Sequence, residues 1–160
     1  MAVIDLFTEG VDNGAERGLQ AVSYLDVASR IPEVQAYKHF SVAQLLVARG
    51  PFLEIGCGFG AEARALSQLS GQRVFAVDFS QTMVGSALGR SSFSDQVGYA
   101  QADGCRLPLA DSSFGGCRVD RTLQHVADQA GFMLEIGRVV RPGGVSRIGK
   151  RCWSMAVSGV

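Results

Sequence analysis

Apolar positions along the chain recur with two different periods. From Pro32 to Arg49 they return at intervals of three and four, so Tyr37, Phe40, Ala43, Leu46 and Val47 share one face of a predicted helix that Gly50-Pro51 stops. Phe52 to Ile55 is a short apolar run, long enough for a buried parallel strand and too short for a helix. Ala61, Ala65, Leu66 and Leu69 make a second helical face, closed by Gly71. A strand over 73–77 (RVFAV), a helix over 81–88 and a strand over 97–100 follow, and 105–113 (CRLPLADSS) reads as loop. Residues 114–119 read as a strand weakened by Gly115 and Gly116. Asp128 can cap a helix whose Phe132, Ile136, Val139 and Val140 point inward, and Pro142-Gly143-Gly144 is expected to end it.

Strands alternating with helices predict an α/β fold, a doubly wound parallel sheet with right-handed crossovers and helices on both faces. Ligands of such sheets sit beyond the carboxyl ends of the strands, so the strand–glycine–helix junction near residues 52–61 is the expected site. Composition narrows the class without naming a chemistry. Of 160 residues, 47% are hydrophobic and 19% charged, a globular balance in a chain of single-domain length. The formal net charge of zero gives no global signal for nucleic acid or an acidic membrane surface. Asp5, Glu9, Asp12 and Glu16 open the chain, while Arg138, Arg141, Arg147, Lys150 and Arg151 close it; both ends are expected to be solvated.

The four cysteines, at 57, 105, 117 and 152, lack metal-ligand spacing and are joined by only two histidines, His39 and His125. No metal site is expected, and reduced cysteines fit a cytoplasmic protein. The acidic N-terminal residues do not read as a signal peptide, and no apolar run reaches the ~20 residues of a membrane span. No internal repeat is visible.

The glycines of PFLEIGCGFGAEARAL (51–66) settle little by themselves: with 20 glycines in the chain, roughly 0.3 chance occurrences of G-x-G-x-G are expected. At a strand–helix junction they let a ligand lie against backbone and leave free N–H donors at the helix start near Ala61. Gly56, Gly58 and Ala61 fit the dinucleotide pattern G-x-G-x-x-G/A, and Asp78 lies about 20 residues on, where it can bind a ribose diol. This segment alone leaves NAD open.

Five blocks taken in order reach further. ExGxGxG (Glu54 to Gly60), VDFSQTMV (77–84), QADGCRLPLADSSF (101–114), DRTLQHVAD (120–128) and RVVRPGG (138–144) resemble the class I S-adenosylmethionine-dependent methyltransferases, most closely the small-molecule group called type 11 or UbiE-like. The resemblance covers about residues 48–144. It implies a Rossmann-like single domain with an N-terminal helical cap (1–50), a cofactor-binding core (51–144) and a divergent tail (145–160). It implies S-adenosylmethionine as cofactor, with Glu54 facing its amino group and Gly56, Cys57, Gly58 and Gly60 under the methionine and ribose. Asp78 would take both ribose hydroxyls, since a carboxylate has two acceptor oxygens. Phe79 would lie on the adenine, Ala102, Asp103 and Gly104 would edge it, and Arg121 would stand near the sulfonium end. Each has a structural alternative: Asp78 as a helix cap, Asp103 as a turn, Phe79 as core, Cys57 as a buried filler.

Methyl transfer to a hydroxyl gains from a general base, and His125, following the fourth strand, is the candidate; a structural hydrogen-bonding role is its alternative. Tyr24, Tyr37 and His39 fall in the cap and are candidate pocket lining for a small-molecule methyl acceptor. The chain departs from the family at Gly115, where an acid is usual, and after Gly144. There the family continues with an apolar strand, a helix and an antiparallel strand pair, whereas this tail reads VSRIGKRCWSMAVSGV. Arg147, Lys150 and Arg151 suit a buried strand badly. The expectation is a shortened product or shifted reading frame, with an open sheet edge able to pair in a homo- or hetero-oligomer. A truncated, non-catalytic methyltransferase-like protein that works through such a partner is the competing function.

Overall fold

In the computed structural model, which describes residues 11–149, the short apolar runs become strands of one sheet. Helices α1 (Ala15–Ser29) and α2 (Pro32–Ala43) precede it. Then come β1 (Phe52–Ile55), α3 (Ala61–Ser70), β2 (Val74–Asp78), α4 (Gln81–Gly89) and β3 (Val97–Gln101). After a loop follow β4 (Phe114–Asp120), a 3-10 turn (Leu123–His125), α5 (Gln129–Val139) and β5 (Val140–Gly149). All pairings are parallel in the order β3-β2-β1-β4-β5, so the expected α/β class holds.

One face of the sheet sends Leu53, Ile55, Val77, Cys117 and Val119 against Phe132, Ile136 and Val139 of α5. Fully buried side chains of this kind each stabilise the fold by about 1.5–3 kcal/mol. On the other face Phe52, Val74 and Ala76 meet Val42 of α2, Leu45 just after it, and Ala63 and Leu66 of α3. Helix α1 lies on α4, with Ala21 and Met83 buried between them and Asp26 forked onto Arg90 at 2.6 and 2.8 Å.

Four expectations are corrected. Helix α2 ends at Ala43, and its buried residues are Val34, Lys38, Ser41 and Val42, whereas Phe40 is 57% and Val47 80% exposed. The reason is that α2 faces charged side chains of the sheet, so its inner stripe carries polar residues that an apolar periodicity assigns outward. Leu69 of α3 is likewise exposed, and Ala63 takes the inward place. Val140 does not continue α5. It opens β5, and Pro142-Gly143-Gly144 falls within that strand, in the irregularity where pairing shifts from Phe114–Val140 to Gly116–Val145.

The fourth correction concerns the tail. Residues 145–149 are strand, paired with Gly116 to Asp120, and Arg147 is half-buried opposite Arg118. Half-burial leaves part of this side chain at the surface, while its Nε is buried without a hydrogen-bond partner among the described residues. Lys150, Arg151 and the rest of the tail lie outside the described residues. At the charged ends Asp12 and Glu16 are exposed as expected; Asp12 accepts from Gln81 and Thr82 N–H at the start of α4, and half-buried Arg138 bonds Glu135 and Asp111. Gly115 has a packing reason. A Cβ there would lie 1.7 Å from the Arg49 carbonyl oxygen, so an acid at this position would push the chain before β1 away from β4.

Candidate functional site

The carboxyl ends of β1, β2 and β4 converge on the glycine loop. Gly56 and Cys57 N–H both donate to the Val77 carbonyl, at 2.8 and 3.0 Å, which pins the chain leaving β1 to the end of β2. Gly56, Gly58 and Gly60 have φ of 75, 52 and 76°, a left-handed region that side chains disfavour. A Cβ on Gly56 would lie 1.9 Å from Thr122 Oγ1, and one on Gly60 2.5 Å from the Tyr99 hydroxyl. The segment after β4 and the edge strand β3 thus press directly on the loop. Thr122 also donates to the Ile55 carbonyl at 3.3 Å.

Asp78 ends β2 beside this loop. Its Oδ2 accepts from Gly58 N–H at 2.8 Å and its Oδ1 from Ser80 N–H at 3.0 Å. Burial holds its carboxyl above the usual range despite those donors. It is not the cap of α4: Ser80 is, accepting from Met83 N–H at 3.2 Å. The carboxylate, with two acceptor oxygens, keeps acceptor capacity for a further donor. Phe79 is 74% exposed, which removes the core alternative. Ala102 N–H donates to the Asp78 carbonyl at 3.0 Å, bringing Ala102-Asp103-Gly104 alongside. Asp103 is exposed and accepts from Cys105 N–H at 2.8 Å, a turn geometry that leaves its other oxygen for a ligand. Gly104 is buried where a Cβ would meet the Phe132 ring. Cys57 is buried as well, and burial, then Asp78, pushes its thiol up, so it is a neutral filler.

Beneath the loop lies a group that the sequence reading missed. Arg118 Nη1 donates to Glu54 Oε1 at 2.6 Å, its Nη2 to Asp120 Oδ2 at 3.2 Å and its Nε to Ser41 Oγ at 3.0 Å. Tyr37 donates to Asp120 Oδ1 at 3.0 Å, and Lys38 pairs with Glu62 at 2.6 Å. Glu54 Oε2 is buried without a hydrogen-bond partner among the described residues. Burial raises the Glu54 carboxyl to about 7 against the pull of Arg118. A signal was available: an arginine in a strand meant to be buried on both faces calls for a buried acid, and Glu54 sits in the neighbouring strand.

Arg121, with φ of 57°, adopts the left-handed turn that leaves β4, and its N–H donates to the Gly149 carbonyl at 3.0 Å. Its guanidinium is 3.9 Å from Asp120. His125 is half-buried in the 3-10 turn beyond Thr122, with Nε2 3.0 Å from Gln124 Nε2. Burial, then Arg121, lowers its pKa and favours the neutral imidazole. Of the cap residues named from sequence, Tyr37 reaches the cluster and His39 is exposed. A shallow cavity of about 360 Å³ lined by Gly50, Pro51, Gln72, Arg73 and Phe75 lies at the amino ends of the strands, away from this site.

A left-handed glycine loop after the central strand, with a carboxylate ending the next one, defines a Rossmann-like cofactor-binding domain. Within that class the chain belongs to the methyltransferase domain family, which matches residues 53–148. It is 38% identical over 136 residues to an uncharacterized 37.1 kDa protein in transposon TN4556 of Streptomyces fradiae, covering 82% of this chain and 39% of that protein. It is 30% identical to methyltransferase GfsG of Streptomyces halstedii, over 87% of this chain and 50% of that one. Among solved structures, phosphoethanolamine N-methyltransferase 2 of Haemonchus contortus, in complex with phosphomonomethylethanolamine and S-adenosylhomocysteine, superimposes with a TM-score of 0.56 at 33% identity. That match covers 59% of this chain and 23% of the other. The chain therefore spans half or less of the length of these relatives. Among the described residues no helix is long and apolar enough to cross a membrane.

Proposed function

We propose that this chain binds S-adenosylmethionine at the glycine loop and transfers its methyl group to a small-molecule acceptor. The observation that carries the reading is the pair of carboxylates, Glu54 and Asp78, near the carboxyl ends of adjacent strands on either side of left-handed glycines in the chain. The donor set fits the cofactor's chemistry. Glu54 Oε2, buried and unpartnered among the described residues, suits an ammonium group. Asp78 suits a vicinal diol, exposed Phe79 a planar ring, and Asp103 an exocyclic amine. Gly56, Cys57, Gly58 and Gly60 supply the backbone against which the methionine and ribose lie, with Ala102 and Gly104 at the ring edge. When bound, the sulfonium supplies an electrophilic methyl group. The protein's work is to orient the acceptor and exclude water, and positioning of this kind lowers barriers by up to about 7–11 kcal/mol.

Arg121 and neutral His125 occupy the segment that packs on the loop through Thr122, so His125 is the proposed base for a hydroxyl acceptor. A homologue solved with S-adenosylhomocysteine and a relative named as a methyltransferase support the cofactor and the reaction class. The edge of β5 that is unpaired among the described residues is a proposed place for a further strand, from a partner or a second copy. Calorimetric titration of the monodisperse chain tests the reading. Saturable binding of S-adenosylmethionine, absent with NAD and lost in Asp78→Ala, is expected. A folded chain that binds NAD instead, or neither compound, overturns it.

A further inference from the structure

The face of the sheet under α2 changes character within a single strand. In β4 the inward residues run Gly116, Arg118, Asp120, and in β1 they run Phe52, Glu54, so charge begins where the strands approach the glycine loop. Arg118 is 1% and Glu54 2% exposed. The guanidinium is spent on three partners at once: Glu54 Oε1, Asp120 Oδ2 and Ser41 Oγ. Asp120 is held in turn by Tyr37, so α2 contributes two of the groups that fix the arrangement. The other nearby cation, Lys38 of α2, is taken by Glu62 and does not answer Glu54.

One oxygen is left over. Glu54 Oε2 is buried and has no hydrogen-bond partner among the described residues. An unanswered carboxylate oxygen at that depth destabilises the fold unless a ligand brings a donor. It stands two residues before the first glycine of the loop.

We propose that Arg118 is a positioning residue for the methyl donor: by holding Glu54 Oε1 it keeps Oε2 available to the donor's ammonium, and through Asp120 and Ser41 it couples that geometry to the docking of α2. The inference rests on the methyl-donor reading above. It requires the planar fork of arginine, because the three acceptors are met by three different nitrogens, a span that the single nitrogen of a lysine cannot reproduce. It also predicts that only the amino-acid end of the donor senses Arg118.

The test compares two probes, S-adenosylmethionine and 5′-methylthioadenosine, which keeps the adenosine and sulfur but has no amino-acid head. Affinities are measured by calorimetry for the wild type, Arg118→Met, Arg118→Lys, Glu54→Gln and the double variant Glu54→Gln/Arg118→Met. Arg118→Met should weaken S-adenosylmethionine roughly 10- to 100-fold, the scale of one charge-assisted contact. It should change 5′-methylthioadenosine by less than about 3-fold, and should add less than about 3-fold once Glu54 is Gln. Should Arg118→Met fail to fold, leaving Glu54 uncompensated, Arg118→Lys carries the same comparison and the neutral double variant shows that the site survives without either charge. Equal losses for both probes in the folded variants, independent effects of the two positions, or no loss in Arg118→Lys and Arg118→Met overturns the proposal. A wild type that binds 5′-methylthioadenosine but gains nothing from the amino-acid head overturns it while keeping the adenosine site. A wild type that binds neither probe sinks the methyl-donor reading itself, and this inference with it.

Discussion

On the face covered by α5, strands β1, β2 and β4 present Leu53, Ile55, Val77, Cys117 and Val119, all hydrocarbon or thiol. On the face covered by α2 and α3, the same β1 and β4 present Glu54 and Arg118, equally buried. The first arrangement is what a doubly covered sheet needs for stability. The second is not, because a buried ion pair is often no better than a hydrophobic pair of the same volume, while losing one partner is costly. The charges also collect at the carboxyl ends of the strands, whereas Phe52 and Val74 keep the amino ends of that face apolar. The difference separates what holds the sheet together from what the sheet holds ready for a ligand.

The comparison breaks most visibly on the apolar side. Phe132→Ala should lower the unfolding free energy by about 3–5 kcal/mol in urea denaturation, through a cavity between α5 and the sheet. A loss under about 1 kcal/mol would mean that α5 is not a principal support.

A smaller effect sharpens the charged side and depends on pH. The native Glu54 carboxyl is raised to about 7 by burial, with Arg118 pulling the other way. Its unfolded value is about 4.3, that of a model peptide. Between those values the native chain holds a proton that the unfolded chain releases. The stability that Glu54 contributes is therefore complete below about pH 4 and declines as pH rises through about 7. The charges facing it are Lys38 on α2, Glu62 on α3, Arg118 and Asp120 on β4, with Arg147 at the register position beyond Arg118. Between pH 5 and 8 the wild type should lose up to about 3 kcal/mol relative to Glu54→Gln. Parallel pH profiles of the two chains would assign the slope elsewhere.

The smallest change returns to α5. Asp128 Oδ1 accepts from Gly131 N–H at 2.8 Å at the start of that helix, so Asp128→Ala should cost about 1 kcal/mol. Its thermal midpoint should fall while S-adenosylmethionine affinity stays unchanged. A fall in affinity would place the α5 terminus in the site.

The sequence by itself determined strands β1 to β4, the helices between them and the strand–helix junction that carries glycines 56, 58 and 60, because apolar periodicity and glycine placement are local properties. It also marked Asp78 at the end of the second strand, where the structure places it against the loop. Tertiary structure alone decided three things. It turned α2 so that Lys38 and Ser41 face inward beside Val34 and Val42, because part of the surface that helix covers is charged. It carried β5 through Pro142-Gly143-Gly144, because an irregular pairing at an edge tolerates residues that end a helix. And it joined Arg118 to Glu54, 64 positions apart in the chain and neighbours in register. Periodicity reports which side of an element avoids water; a buried charge is stable only through a partner, and that partner is supplied by the fold.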